Sequence, residues 1–372
     1  MKIDDKTSHN SPSIRFPEFT GEWERCVLGD VLEFSNTRIN SSELNSGNYV
    51  STENILQNFQ GIVKARSIPE DTNVMAFSCG NILLSNIRPY LKKVWKATFN
   101  GGCSSDVFVL QANSNIDADY LHYVVANDKF IGFVMNGAKG VKMPRGDKNQ
   151  MKTYSLSLPS IKEQRKISRF LSFLDERIAV QSRLIDRLQS LMIGIRHRII
   201  NEAKGKIVCL CEVSDIYQPQ TISSADLTET GYPVYGANGI IGHYTSYNHE
   251  AEQVCITCRG NTCGGVNYTK SKSWITGNAM VVNVDRYQNI VSKRYLYHYL
   301  SNCDFNSIIS GSGQPQIVRA PLAKFKIILP TVMQQYKIAH CLDVIQNKIN
   351  VNSNILNLLI RQKQYLLRKM FI

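Results

Sequence analysis

The sequence predicts an α+β protein in which two similar globular α/β domains are joined by two long helices, which form an antiparallel coiled coil with pseudo-twofold symmetry. Two stretches start alike, at Leu158-Pro159 and at Leu329-Pro330, and continue with one helical pattern. They superimpose without a gap at an offset of 171 residues, which indicates a duplication. The stretches before them share an order of short β-like runs and one amphipathic helix, near Asp119–Ala126 and near Ser292–Leu300.

The chain divides into five parts in this interpretation. Residues 1–13 are polar and predict a disordered tail. The first globular domain is then 14–159, the first long helix 160–204, the second globular domain 205–330 and the second long helix 331–372.

The apolar residues of the two long helices recur at alternating steps of three and four. This spacing runs from Ile167 to Ile199 and from Ile338 to Met370, and it is typical of a coiled-coil seam. Each helix has roughly 40 residues and is therefore roughly 60 Å long. Ser160 with Glu163, and Thr331 with Gln334, predict capping boxes at the two starts.

One polar residue interrupts each seam near its middle, Gln181 in the first helix and Asn352 in the second. If the helices pair antiparallel, these two residues meet, and a single polar pair in an apolar seam fixes the register. We therefore expect Gln181 to face Asn352. Lys363 also enters a seam position of the second helix.

The formal net charge of +13 suggests an acidic polymer as partner. Most of the surplus is on the long helices, which carry an excess of five positive charges each. A solvated helix exterior explains this surplus equally well, so charge alone does not assign nucleic acid to the globular domains.

Each globular domain ends in a glycine-containing loop before its long helix. The first loop contains Lys139, Lys142 and Arg145, and the second contains Gln314 and Gln316. Cationic side chains suit phosphate oxygens, and glutamine can contact a base edge through two hydrogen bonds. Ordinary polar surface loops are the alternative.

Further candidate DNA contacts lie elsewhere in both domains. Arg88 and Arg259 fall on the same 171-residue offset, each after a β-like run, and either could instead brace its own domain. Lys92 and Lys93 form a basic cluster beside Trp95. The stretch 232–242 adds Tyr235 and Asn238.

The sequence offers no convincing catalytic or metal site. The cysteines between Cys209 and Cys263 lack paired CxxC spacing, so we interpret them as structural thiols. The glycines of 236–242 lack the context of a dinucleotide-binding loop, and no phosphate-binding GxxxxGK[ST] motif occurs. Without a charged-then-apolar leader or a long apolar run, we expect a cytoplasmic protein that does not bind membranes.

The combined pattern resembles the specificity subunit of type I restriction-modification enzymes. The resemblance rests on Ile14–Phe19 with Trp23, on the stretch Tyr232–Gly242 and on the phrase Leu158–Gln164, and it covers nearly the whole chain after the tail. It implies two target recognition domains that each read one half of an asymmetric site in double-stranded DNA. It also implies that the helices set the spacing and dock two modification (methyltransferase) subunits, with restriction subunits completing the complex.

The same resemblance implies that this chain is not an enzyme and binds no cofactor itself. S-adenosylmethionine, ATP and Mg²⁺ would belong to the partner subunits. Two alternatives stay open: an enzyme that both recognises and cuts DNA, and an assembly scaffold whose coiled coil binds only proteins.

Overall fold

The structure is a computed structural model that describes residues 11–311 and 313–372. Met1–Asn10, the larger part of the predicted tail, lies outside the described residues, as does Ser312. The predicted fold class is confirmed, since the chain combines two similar α/β units with two long helices.

The first half of the chain supplies ten strands and four α-helices in the described residues: β1 (Glu24–Val27), β2 (Leu32–Phe34), β3 (Arg38–Asn40), β4 (Tyr49–Val50), β5 (Asn73–Phe77), β6 (Ile82–Ser85), β7 (Val94–Lys96), β8 (Gly101–Cys103), β9 (Val107–Ala112), α1 (Ala118–Val125), α2 (Asp128–Asn136), α3 (Lys148–Lys152), β10 (Ser155–Leu158) and α4 (Ile161–Glu202). The second half supplies β11 (Lys206–Cys209), α5 (Leu210–Val213), β12 (Asp215–Tyr217), β13 (Tyr232–Gly236), β14 (Gly239–Tyr244), β15 (Val254–Thr257), β16 (Val266–Tyr268), β17 (Trp274–Ile275), β18 (Ala279–Asn283), α6 (Lys293–Leu300), α7 (Arg319–Ala323), β19 (Lys326–Leu329) and α8 (Val332–Met370). The helices expected near Asp119 and Ser292 are α1 and α6.

The chain folds into two compact units. Unit 1 comprises Met1–Val180 with Ile355–Ile372, and unit 2 comprises Gln181–Asn354. Each unit therefore contains one globular domain, one half of α4 and one half of α8. The five-part division given above stays a prediction, because the compact units divide both long helices near their middle.

The two units share their sheet plan. Unit 1 has an antiparallel sheet in the order β2-β9-β6-β7, and unit 2 has its counterpart β12-β18-β15-β16. A second sheet contains a parallel pair in each unit, β4 with β8 and β13 with β17. A two-stranded ladder, β1-β10 or β11-β19, directly precedes each long helix.

The strand registers reveal an offset that differs from that of the helices. Ile82 opposite Leu110 in unit 1 corresponds to Val254 opposite Val282 in unit 2. Both strands are thus displaced by 172 residues, one more than the 171 that relates the long helices. The stretch between the central sheet and the long helix is therefore one residue shorter in unit 2 than in unit 1.

Each unit has its own apolar core. In unit 1, α1 and α2 cover the four-stranded sheet, and the core includes Trp23, Tyr120 and Phe130 together with Leu171 of α4 and Leu367 of α8. In unit 2 the core extends from Ile200 of α4 through the globular domain to Ala339 of α8. Burial of each large apolar side chain contributes about 1.5–3 kcal/mol, so both cores attach a globular domain to its helix segments.

Within each unit the α4 and α8 segments run antiparallel. In unit 1, Asp175 of α4 pairs with Lys363 of α8 at 2.5 Å. In unit 2, Gln181 Nε2 donates to Asn352 Oδ1 at 2.7 Å and to the Asn352 carbonyl at 3.0 Å. The two polar residues meet as the antiparallel hypothesis requires, while their role in setting the register stays a prediction.

The seam predicted from the three-four spacing lies at the helix contact, since all its apolar positions are buried or half-buried. Lys363 is accommodated there because its ammonium pairs with Asp175 and lies 5.5 Å from the centre of the Tyr123 ring. The basic residue thus exchanges an apolar contact for an ion pair and a cation–π contact.

A repeated glutamine joins each globular domain to the start of its long helix. Gln164, 1% exposed, accepts from the Asp117 N–H at 2.8 Å and donates to the Pro159 carbonyl at 2.9 Å. Gln335 does the same with the Ser292 N–H at 2.7 Å and the Pro330 carbonyl at 2.9 Å. Because Asp117 and Ser292 are the N-caps of α1 and α6, one amide ties two helix starts together.

The two helix starts differ in their caps. Thr331 and Gln334 form the expected reciprocal box, with N–H to side-chain oxygen distances of 3.2 and 3.4 Å. At the first start Ser160 caps the Glu163 N–H, but the Glu163 carboxylate binds Arg15 through two 2.7 Å contacts. The predicted Ser160–Glu163 box is therefore wrong in its second half, because the buried carboxylate takes a charged partner instead of a backbone amide.

Candidate nucleic-acid interface

The loop 139–145 of unit 1 is a closed, exposed structure. The Lys139 N–H donates to the Arg145 carbonyl and the Arg145 N–H to the Lys139 carbonyl, both at 2.9 Å. The Arg88 N–H donates to the Pro144 carbonyl at 2.8 Å, which holds the loop against the end of β6. Lys139, Lys142, Arg145 and Arg88 are thereby brought onto one surface.

Loop 310–316 of unit 2 repeats this construction at the 171-residue offset. Ser310 and Gln316 exchange the same two backbone hydrogen bonds, at 2.9 and 2.8 Å. The Gly260 N–H donates to the Pro315 carbonyl at 3.0 Å. The backbones of Arg259 and Gln316 also form an isolated antiparallel β-bridge. The two loops therefore have a common backbone frame, filled by basic side chains in one unit and by amides in the other.

A glycine determines the shape of both loops. Gly140 and Gly311 have φ values of +94° and +93°, where an L side chain is strained. At Gly311 an added Cβ would lie 2.5 Å from the Gln314 carbonyl oxygen, closer than any side chain tolerates. The sequence shows these two glycines at equivalent positions, so the shared loop shape has a local cause.

Arg88 and Arg259 are not structurally equivalent, although their numbers differ by 171. The hydrogen bond that Arg88 makes to Pro144 is made in unit 2 by Gly260 to Pro315. Arg259 instead corresponds to Ile87, because the strands carry the 172-residue offset. The matched spacing of the two arginines in the sequence is therefore coincidental, although both side chains are exposed beside their loops.

The cations of unit 1 differ in how far they are engaged within the protein. Lys139 pairs with Asp147 at 2.8 Å, which raises the lysine pKa, and Arg145 pairs with Asp106 at 3.0 Å. Both pairs are on the surface, where solvent screens them, so a phosphate can replace the carboxylate. Lys142 and Arg88 are exposed and form no ion pair with the residues that the structure describes.

The predicted Lys92–Lys93 cluster has a more structural character. Lys92 pairs with Asp128 at 2.6 Å. Lys93 donates its ammonium to the Thr52 carbonyl, and burial lowers the pKa of this lysine. Trp95 is buried in the second core of unit 1. Lys93 therefore braces a loop through this half-buried contact, and its role as a DNA contact stays a prediction.

In unit 2 the hairpin turn between β13 and β14 contacts the strand that leads to Arg259. Thr257 Oγ1 donates to the Ala237 carbonyl, and Asn267 Nδ2 donates to it at 3.3 Å, which leaves Asn238 exposed at the turn. Asn238, Arg259, Gln314 and Gln316 are thus brought together.

Tyr235 requires a correction as a candidate DNA contact. It is 7% exposed, belongs to an apolar core cluster, and its hydroxyl accepts from the Lys270 N–H at 3.0 Å. Its ring packs with Cys255, Ile275 and Val281 of that cluster, so this side chain is not available to a duplex.

A groove of about 390 Å³ in unit 1 was not anticipated. Its lining includes Arg38 and Lys148 with the aromatic Phe108, together with hydroxyl and amide side chains. The Lys148 ammonium lies 5.3 Å from the centre of the Phe108 ring. This cationic and aromatic lining suits nucleic-acid phosphates and bases. No sequence signal connected these residues, because they come from separate strands and from α3.

In the described residues, no group of three or more histidine, cysteine or acidic side chains could hold a metal ion. Burial raises the pKa of the thiols of Cys103, Cys255 and Cys303. The described helices include none that combines the length and the apolarity of a membrane span.

The chain thus has two like units, and each exposes a loop of basic or amide side chains. Residues 20–190 and 203–361 both match the family model of the type I restriction modification DNA specificity domain. The chain belongs to this family, and the resemblance drawn from its sequence is confirmed. Specificity subunits are the non-catalytic DNA-recognition components of type I restriction-modification systems, in agreement with the expectation for this chain.

Individual relatives support the assignment. The specificity subunit of the type I restriction enzyme EcoprrI from Escherichia coli is 31% identical over 148 residues, which are 38% of this chain and 36% of that protein. The type I restriction-modification S subunit from M. genitalium matches with a TM-score of 0.68 at 16% identity, over 97% of this chain and 99% of that chain. A chain from a structure of an assembling type I system matches with a TM-score of 0.56 at 19% identity, over 94% of this chain and 97% of that chain. Both of these structures share the fold of this chain.

Proposed function

We propose that this chain reads one bipartite, asymmetric site in double-stranded DNA, with one half-site recognised by each unit. The observation that carries the proposal is the pair of loops 139–145 and 310–316. Their backbones are closed by the same hydrogen bonds, while their side chains differ in charge and hydrogen-bonding capacity. A common frame with different side chains suits two readers of different base sequences.

In this proposal Lys142, Arg88 and Arg145 contact phosphates, and Asn238, Gln314 and Gln316 contact base edges. The exposed Lys142 and Arg88 have no competing ion pair among the described residues, and the exposed amides each offer a donor and an acceptor. Arg259 and Lys139 add charge at the same two surfaces. The long helices set the gap between the half-sites, since two paired helices resist bending.

The long helices also offer a docking face for two copies of one partner. Nine exposed apolar side chains directly precede seam residues, and in an antiparallel pair these positions share one face of the coiled coil. Unit 1 exposes Phe173, Val180, Ile355, Leu358 and Tyr365, and unit 2 exposes Leu184, Leu191, Val344 and Val351.

Three of these positions repeat at the 171-residue offset, because Phe173, Val180 and Leu184 correspond to Val344, Val351 and Ile355. A contiguous exposed apolar face marks a protein interface, and its repetition provides one site per unit. We propose two modification (methyltransferase) subunits as the occupants.

The remaining parts of the complex follow from this assignment. S-adenosylmethionine would be bound by the modification subunits, and ATP with Mg²⁺ by restriction subunits. This chain would bind no cofactor, would carry no catalytic residue, and would act in the cytoplasm where the DNA is.

The full chain is tested by selection from duplex DNA with a randomised centre, followed by affinity measurements over a salt series. We expect a two-part consensus with a fixed gap. Lys142→Ala should reduce the slope of log affinity against log salt by about one and leave the consensus unchanged, because one phosphate contact is lost. Lys324→Ala, an exposed lysine of unit 2 outside both loops, is the matched control.

Salt-sensitive binding without base preference would instead support the scaffold alternative. Cleavage of DNA by the isolated chain with Mg²⁺ would support the nuclease alternative and contradict the non-catalytic assignment.

A further inference from the structure

A second exposed turn in unit 1, residues 56–61, lies beside Arg88 and Lys92. The Leu56 N–H donates to the Gly61 carbonyl at 2.8 Å and closes the turn. Its tip carries Gln57, Asn58 and Gln60, all three exposed. We name this segment the amide turn.

The backbone of the amide turn is strained. Asn58 and Phe59 have φ values of +54° and +62°, a conformation that is rare for a residue other than glycine and costly for a bulky one. Arg88 and Lys92, with φ of +51° and +54°, are strained in the same way. Four of the six non-glycine residues with positive φ in the described chain therefore lie in two touching segments.

The two strained segments are bonded to each other. The Asn58 N–H donates to the Leu91 carbonyl at 3.1 Å, and the Phe59 N–H donates to the Lys92 carbonyl at 3.0 Å. Phe59 also packs its ring against the main core of unit 1. These contacts offset the strain, so the tip is presented in one conformation.

The base of the turn is equally well determined. Asn54, 4% exposed, accepts from the Ser51 N–H at 2.9 Å and donates to the Val63 carbonyl at 3.0 Å. The Lys93 ammonium donates to the Thr52 carbonyl. Buried polar groups are thus used to fix a turn whose exposed side chains bind nothing within the described protein.

The turn has a counterpart in unit 2. The parallel pairing of Tyr49 with Gly102 corresponds to that of Val234 with Trp274, so the segment after β4 corresponds to the hairpin turn that exposes Asn238. In both units, a turn with exposed amide side chains therefore follows a strand of the parallel pair, β4 or β13. In both units, this turn also lies beside the segment that follows β6 or β15 and contacts the glycine-containing loop.

We propose that Gln57, Asn58 and Gln60 are the base-reading residues of unit 1, an inference that rests on the proposed function. Side-chain amides pair a donor with an acceptor at the spacing of adenine N6 and N7 in the major groove. The neighbouring Arg88 and the basic loop bind phosphates, so unit 1 separates base reading from backbone contact. The glycine-containing loop of unit 1 carries no amide side chain. The amide turn supplies these side chains instead.

The test uses the full chain and the duplex selection described above, with Gln57→Ala, Gln60→Ala and Asn58→Gly. Glycine at 58 tolerates the positive φ, so the backbone is preserved while the amide is removed. Each variant should relax preference at one or two base pairs of a single half-site by about 5- to 150-fold. The salt slope should not change, because no phosphate contact is lost. Gln111→Ala, at an exposed glutamine of β9, is the matched control.

The outcomes separate the inference from the function on which it rests. A wild-type chain that selects no two-part site overturns both. If the wild-type chain selects a two-part site and all three variants retain the full consensus, only the assignment of the amide turn is overturned. Relaxation of both half-sites by one variant also contradicts it, because the turn belongs to one unit.

Discussion

At the scale of single residues, the polar pair in the seam is the clearest test of antiparallel pairing. Gln181→Leu leaves the Asn352 side-chain oxygen without its donor, so we expect a loss of about 1–2 kcal/mol in the free energy of unfolding. The double variant with Asn352→Leu should recover that loss, because two apolar residues then meet. Urea unfolding of the full chain measures both values. Equal stability of the single and double variants would contradict direct pairing.

Two buried histidines couple stability to pH. Burial lowers the pKa of His122 and of His298 to about 4, although Asp343 partly opposes this shift for His298. Each histidine is thus neutral in the folded chain at pH values where it is charged when unfolded. Their stabilising effect is complete above pH 6.5 and is lost as pH falls towards 4.

Between pH 7 and pH 5 the expected loss is about 2 kcal/mol per histidine. His122→Gln and His298→Gln should each flatten the dependence of unfolding free energy on pH. Urea titrations at the two pH values measure this slope. A variant as pH-sensitive as the parent would show that its histidine does not titrate in the proposed way.

At the scale of elements, loop shape and loop chemistry can be separated in unit 2. Gly311→Ala places a Cβ 2.5 Å from the Gln314 oxygen at positive φ, whereas a Cβ at Gly313 meets nothing within 4 Å. We expect Gly311→Ala to lower affinity for one half-site by about tenfold, equivalent to about 1.4 kcal/mol. Gly313→Ala should be neutral. Equal effects of the two changes on duplex binding would show that the loop shape is not important for reading.

The paired helices are the element through which the two readers would be spaced. Their seam has the same three-four period in both copies, and only Gln181, Asn352 and Lys363 interrupt it. Each interruption has a polar partner, Gln181 with Asn352 and Lys363 with Asp175. The interruptions of the pattern therefore meet polar partners in the antiparallel pair, while their role in fixing its register stays a prediction.

At the scale of the whole molecule, the proposed ruler predicts a change in target spacing. Insertion of one heptad into each long helix beside the polar pair keeps the seam in phase and lengthens each helix by about 10 Å. We expect the selected gap to grow by about three base pairs, at about 3.4 Å per base pair. An insertion into one helix alone should instead lower stability. A selected gap that stays unchanged after the paired insertion would contradict the ruler.

The sequence alone determined the duplication, the two long helices and their antiparallel pairing. These features depend on local signals, the helix caps and a period repeated many times, so each position supports its neighbours. The glycine loops were also predictable, because Gly140 and Gly311 mark a backbone that only glycine adopts readily. The family resemblance followed from the same repeated phrases.

Only the tertiary structure decided which candidates share a surface. The one-residue shift between strand and helix offsets separates Arg88 from Arg259, and no local pattern records a shift between distant segments. Tyr235 is buried, and the Lys93 ammonium is half-buried and bonded to the Thr52 carbonyl, because both side chains meet segments that are far apart in the chain. The amide turn could not be predicted from the sequence either, since its backbone strain is offset by contacts with a segment about thirty residues away.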